Sequence, residues 1–177
     1  MQRASALILL SASALLASDH AGRRAPGFSL PDANLQQHDL YDYRGKVVIV
    51  EFMQTTCPNC QEMTKLLAKV QERYKEKVAI LSVAVPPDQV GTVQKFMADF
   101  KVTYPVLLDC GAVALSYLRP PPHAPTIHVP HLFLIDRAGV IRDDFHHDAG
   151  PAVVDEAGLF REIDKLMAPP GGAGKKK

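Results

Sequence analysis

The sequence predicts an α/β domain in which a central mixed sheet of about five strands is flanked by helices on both faces, with a short β-hairpin added on the N-terminal side. Three observations carry that expectation. Val47–Phe52 is a β-branched, apolar run interrupted only by Glu51, as a strand covered on both faces should be. Apolar residues at helical spacing follow it, and a second apolar run opens at Val78, so strand and helix alternate. Near the C-terminal end, His131–Asp136 and Val140–Phe145 flank Arg137-Ala138-Gly139, the pattern of two antiparallel strands around a glycine-bearing turn.

The elements follow in order. Residues from Ala25-Pro26-Gly27-Phe28 to His38-Asp39-Leu40 alternate apolar and polar around turn residues, which predicts the hairpin, and Tyr43-Arg44-Gly45-Lys46 turns into the first core strand. From Cys57 to Lys77, Met63, Leu66, Leu67, Val70 and Tyr74 line one helical face. Val78–Val85 is a second strand stopped by Pro86-Pro87, and Asp88 is placed to cap a helix over Gln89–Phe100. Val106–Leu108 predicts a short strand and Gly111–Leu118 a short helix. Arg119–Pro125 carries four prolines, which remove too many donors for a helix or inner strand, so it reads as a loop. A last helix is expected over Val153–Met167. The tail 169–177, rich in Pro, Gly and Lys, is expected to be disordered, and residues 25–168 to form one domain.

Composition narrows the function. The chain has 177 residues, 47% hydrophobic and 22% charged, with a formal net charge of +1 and no basic stripe outside the terminal lysines, so nothing suits it to nucleic acid. Residues 1–24 read as a leader: Arg3, then the apolar run Ala6–Ala17, then polar Ser18-Asp19-His20 and Arg23-Arg24. That run is too short to span a bilayer, which takes about 20 residues, and fits a secretory signal. Export is expected, to a periplasmic or other extracytoplasmic location, with tethering to the membrane only if the leader is retained. The domain itself is expected to be a monomer without stable membrane insertion.

The chemistry lies in Cys57-Pro58-Asn59-Cys60, at the junction of the first core strand with its helix. A Cys there meets unpaired backbone N–H groups and the positive end of the helix dipole, both of which favour thiolate over thiol. Pro58, having no N–H to lose, suits the first helical position. The loop closed by these two cysteines is too short for a useful structural staple, so the pair reads as a dithiol for electron exchange. Glu51 is either a buried carboxyl with a raised pKa or an acid turned to solvent or to a lysine. Cys110 is expected to be a buried or half-buried free thiol.

A strand entering Cys-Pro-x-Cys, an amphipathic helix, and a distant Val129-Pro130 followed by Leu132-Phe133-Leu134-Ile135-Asp136 and a hairpin resemble the thioredoxin superfamily. Pro26-Gly27-Phe28-Ser29-Leu30-Pro31-Asp32 and Tyr43-Arg44-Gly45-Lys46-Val47-Val48-Ile49-Val50 are similar to its exported TlpA/ResA-like thiol-disulfide oxidoreductases, which overlap the redoxin and AhpC/TSA group. The resemblance implies a thioredoxin-like fold, Cys57 as nucleophile, Cys60 as resolving thiol and Glu51 as proton relay. It also implies Pro130 as a cis-proline exposing Val129 to a substrate strand, with Thr56, Pro58 and His131 beside them. No metal or organic cofactor is implied, only a redox-active Cys57–Cys60 disulfide. The implied partners are protein dithiols or disulfides and an upstream redox protein. Thr56 departs from the family, standing where a Trp usually precedes the first Cys.

Two other readings stay open. Copper metallochaperones of the Sco type share this fold, and His128 or His131 facing the cysteines would suit Cu(I), although those proteins place three residues between their cysteines. A thiol peroxidase would need a Thr three residues before Cys57, where Gln54 stands and Thr55 is one place off. His146-His147 reads as an exposed hairpin end.

Overall fold

Strand β3 (Val47–Met53) is the axis of the molecule, and all seven of its residues are buried. The computed structural model describes residues 20–123, 126–146 and 155–168; the apolar run 6–17 and the tail 169–177 lie outside the described residues. Ahead of β3, β1 (Ser29–Pro31) and β2 (Gln37–Asp39) pair antiparallel. The main sheet adds β4 (Val78–Ala84), β5 (Val106–Leu108), β6 (His131–Ile135) and β7 (Ile141–His146), in the order β5-β4-β3-β6-β7. β4 runs parallel to β3 and to β5, while β6 runs antiparallel to β3 and β7, so the sheet is mixed. The helices are α1 (Pro58–Tyr74), α2 (Val90–Phe100), α3 (Ala112–Leu118) and α4 (Glu156–Met167).

The two-residue period of the strands divides the core. Val47, Ile49 and Met53 of β3 join Ile80 of β4 and Leu132 and Leu134 of β6 on one face, under α1, α2 and α4. Val48, Val50 and Phe52 join Leu81, Val83, Phe133 and Ile135 on the other, under α3 and the segment from Ala25 to Tyr43. Phe52, Tyr117 and Phe133 knit that second face, with ring centroids 5.2 to 6.0 Å apart at tilted or edge-to-face angles.

The N-terminal hairpin is held by one acid. Asp32 accepts the N–H groups of Asn34 and Gln36 at 2.8 and 2.9 Å and meets His38 Nε2 at 3.2 Å, and these partners hold its carboxyl below its ordinary range against the opposing cost of burial. Asp32 also bridges to Leu107 on β5, and Gln94 on α2 donates to the Ala33 carbonyl at 2.9 Å. His20–Arg24, grouped with the leader in the sequence reading, run alongside the β6–β7 turn: Gly22 N–H donates to Ile141 O at 2.8 Å and Ile141 N–H to Arg23 O at 2.9 Å.

Helix boundaries follow from their caps. α4 starts at Glu156 because the Asp155 carboxylate accepts the Gly158 N–H at 2.6 Å; the expected start at Val153 lies outside the described residues. α3 is short, and its second and third amides are taken by Asp109, which accepts the N–H groups of Val113 and Ala114 at 3.2 and 2.9 Å. Phe52→Ala should cost about 3–5 kcal/mol, the range for emptying a buried aromatic site, read as a lowered urea midpoint with an unchanged slope.

Candidate active site

β3 stops where its backbone leaves the sheet at Gln54, and a short turn delivers Cys57 to the start of α1. Cys57 N–H donates to Gln54 O at 3.1 Å, and the Gln54 side chain donates to Pro86 O at 2.6 Å. Thr55 is clamped by Asp88, which accepts its N–H at 2.7 Å and its hydroxyl at 2.5 Å. Gln89 is the N-cap of α2, its N–H donating to Thr92 Oγ1 at 2.9 Å, and Asp88 Oδ1 reaches the same first turn by accepting the Thr92 hydroxyl at 3.0 Å. The acid that the sequence places at a helix start thus also fixes the turn before the dithiol.

Cys57 is the N-cap of α1, with Pro58 in its first turn. Its sulfur accepts the Cys60 N–H at 3.4 Å, one of the amides that a helix start leaves without a partner in the helix. On its other side the thiol faces the Val129 carbonyl at 3.7 Å, and the Val129–Pro130 peptide is cis. A second cis bond joins Pro86 to Pro87. Cys57 and Val129 are half-buried, Thr56, Pro58 and Asn59 are exposed, and Pro130 is buried. One half-buried cysteine thus sits between a helix start and the bend that leads into β6.

Cys60 is fully buried. Burial, the hydrogen bond to Cys57 and the nearby charge of Glu51 push its thiol up, while the Gln54 backbone pulls modestly the other way. Glu51 lies on the same sheet face, at 0% exposure. Its Oε2 accepts the Ser82 hydroxyl from β4, and its Oε1 is buried with no hydrogen-bond partner. Burial pushes Glu51 up to about 8, only partly offset by Ser82. Tyr104 completes this polar island: its phenol lies beside Thr64 and Ser82, and burial and the Glu51 charge raise it. Thr64 in turn donates to the Cys60 carbonyl at 2.9 Å. The solvent-facing alternative for Glu51 is set aside, because the strand's alternation turns it under α1.

Three expectations need correction. His131 does not face the cysteines: it stacks on Phe133 at 4.6 Å on the opposite sheet face, and its Nε2 lies 2.8 Å from Asp144 Oδ2. The reason is parity, since Leu132 is the β6 residue that faces α1. His128 is exposed, and His146 is half-buried against the His131 ring rather than a bare hairpin end; His147 lies outside the described residues. Cys110 is exposed, because Asp109 before it takes the inward position that caps α3. Thr55, the residue nearest to a peroxidase threonine, spends its hydroxyl on Asp88. Sequence reasoning missed Ser82, Thr64, Tyr104 and Asp88. Only Ser82, a polar residue inside an apolar strand, offered a signal.

The family model for AhpC/TSA matches residues 21–144, which include Glu51, Cys57, Cys60, Ser82, Tyr104 and Val129-Pro130. This chain belongs to the AhpC/TSA family. It is a TlpA/ResA-like member of the thioredoxin superfamily. The thiol-disulfide oxidoreductase ResA of Geobacillus kaustophilus is 33% identical over 122 residues, 68% of this chain and 66% of that protein. The thioredoxin-like protein YneN of Bacillus subtilis is 27% identical over 124 residues, 69% of each chain. The chain thus spans about two thirds of the length of these relatives. A thioredoxin-family thiol:disulfide interchange protein from Chlorobium tepidum superposes with a TM-score of 0.71 at 22% identity, over 85% of this chain and 100% of that one, which fixes the fold as thioredoxin-like.

The raised Glu51 carries a stability consequence whose sign is fixed. In the fold it keeps its proton to about pH 8, in the unfolded chain only to about 4.5. Its contribution to stability is complete below pH 4.5 and is lost as pH rises to 8, on the order of 3 to 5 kcal/mol. Glu51→Gln should therefore gain on the wild type between pH 5 and 9 in urea unfolding. Parallel stability curves for the two proteins would contradict a buried, protonated Glu51.

Proposed function

We propose that this chain is an exported thiol-disulfide oxidoreductase that exchanges disulfides with protein partners through Cys57 and Cys60. The observation that carries the reading is the placement of a half-exposed Cys57 sulfur between the Cys60 amide and the carbonyl of Val129. Its relatives' named activity and the secretory pattern of residues 6–17 support it. Among the described residues, no helix is long and apolar enough to cross a membrane.

In the reducing direction, the Cys57 thiolate attacks one sulfur of a substrate disulfide. That S–S bond breaks, a mixed disulfide forms, and the other substrate sulfur leaves as a thiolate that takes a proton from solvent. Cys60 must then lose its own proton to attack Cys57 Sγ. Burial makes that loss unfavourable, and the unpartnered Oε1 of Glu51 is the acceptor within the same dry pocket. The second substrate thiol is released, and the Cys57–Cys60 disulfide holds the two electrons' worth of oxidation until an upstream dithiol removes it. The same steps reversed oxidise a substrate. Val129 offers its carbonyl edge to an extended substrate segment, as strand addition requires.

Of the two imidazoles weighed for copper, His131 lies on the far side of the sheet and His128 is exposed beside the cleft on that face. The Thr55 hydroxyl weighed for peroxide reduction is given to Asp88.

Cys57→Ser should be inert towards a disulfide-bonded peptide, and Cys60→Ser should stop at the mixed disulfide, visible as a covalent mass adduct. Glu51→Gln should slow the resolving step roughly 100-fold and erase an inflection near pH 8 in its rate. A resolving rate whose pH profile is the same in both proteins would remove Glu51 from the mechanism. The potential measured against a glutathione series assigns the direction of electron flow.

A further inference from the structure

On the sheet face opposite the dithiol, side chains from three distant parts of the chain converge. His20 comes from the N-terminal segment, His131 from β6 and Asp144 from β7. Each offers one ligand atom, and the three atoms lie within 4.8 Å of one another. His131 and Asp144 are almost wholly enclosed, with side chains 7% and 5% exposed. The His146 ring stacks on His131 at 5.4 Å, and the His20 ring stands edge-on to His131 at 6.0 Å. Above them opens a cleft of about 390 Å³ lined by His20, His128, His131 and His146 together with the Pro120-Pro121 turn.

A buried His–Asp pair needs no ion to be satisfied. What goes beyond such a pair is the third donor, brought 111 positions along the chain from His131 to the same point. The cleft beyond it carries two more imidazoles. Donors around one tetrahedral zinc, at bond lengths of about 2.0–2.2 Å, sit roughly 3.4 Å apart, so an ion would draw in the atoms now as far as 4.8 Å from one another and part His131 Nε2 from Asp144 Oδ2, now 2.8 Å apart. Two imidazoles and a carboxylate suit a borderline divalent ion, and they lack the soft sulfur that selects Cu(I). We propose that His20, His131 and Asp144 form a binding site for a divalent transition-metal ion of the zinc class, distinct from the dithiol and with its remaining position open to the cleft.

The neighbouring cation is Arg23. Its Nη2 stands 3.4 Å from His20 Nδ1, while the same guanidinium donates to the Tyr117 carbonyl and lies 5.9 Å from the centre of the Tyr117 ring. An ion at His20 replaces the long contact and leaves the anchoring one. Bound there, the ion ties residue 20 to the first residue of β6, next to Pro130. It thereby braces the strand that presents Val129.

The test uses the full chain without a histidine tag, with Cys57 and Cys60 oxidised to their disulfide and the exposed Cys110 alkylated, so that no thiol can take the metal. Zn²⁺ titrated calorimetrically should bind one ion per chain. His20→Ala and Asp144→Asn should each weaken it at least about tenfold, while His123→Ala, in the exposed loop, should not. Co²⁺ in place of Zn²⁺ should give the visible absorption of a low-coordinate nitrogen-oxygen site, and thermal melts of the metal-free variants confirm that each is folded. The proposal is overturned if this oxidised, Cys110-capped chain binds no Zn²⁺. It is equally overturned by affinity unchanged in a folded His20→Ala, or weakened to the same degree in His123→Ala.

Discussion

The structure around the cysteines is organised by the need to keep one carboxyl out of water. Glu51 sits mid-strand in β3, with β4 and β6 on either side and α1 above, and receives one hydroxyl hydrogen bond where an ionised carboxylate would seek several. Such a group survives in a core only as the neutral acid or as a transient anion, which couples its charge to whatever titrates nearby. Cys60 is that neighbour. The two groups lie buried near Tyr104, Thr64 and Ser82, and the charge of Glu51 raises the Cys60 thiol and the Tyr104 phenol alike.

Burial also explains the division of labour between the two sulfurs. α1 begins at the sheet's edge of solvent, so its first residue is reachable and its fourth points back into the core. A single helical turn therefore separates a half-buried thiol from a fully buried one. Asp88 and Gln54 make this dependable, because the turn between β3 and α1 is pinned to the Pro86–Asp88 loop by three hydrogen bonds. Activity here rests on positional precision more than on any single strong interaction.

Much of this could be read in the sequence, for reasons that differ by element. β3, α1 and the β6–β7 hairpin announced themselves through strong periodicity and turn chemistry. The Cys pair was visible because it falls at a strand-to-helix junction. Glu51 was visible as a charge among β-branched residues, though its burial was settled only by strand parity. That same parity sent His131 to the face away from Cys57, which neighbouring positions in a sequence do not reveal unless the register is known. Asp88 was read only for its local place at the start of α2, where it does meet Thr92, because local contacts are what a sequence can show; its bonds to Thr55 span 33 residues. Tyr104 and Thr64 carry no sequence signal at all, since their role exists only after β5 and α1 have been brought together.

The hairpin fastened by Asp32 has an effect beyond its own few residues. β5 is a border strand of the main sheet, and a bare border offers unpaired amides and carbonyls to any passing extended chain. With Asp32 bridged to Leu107, the hairpin covers part of that border. A chain that reached its destination with this segment undocked would expose a template for aggregation, so seating the hairpin is a safeguard of solubility as well as a piece of architecture.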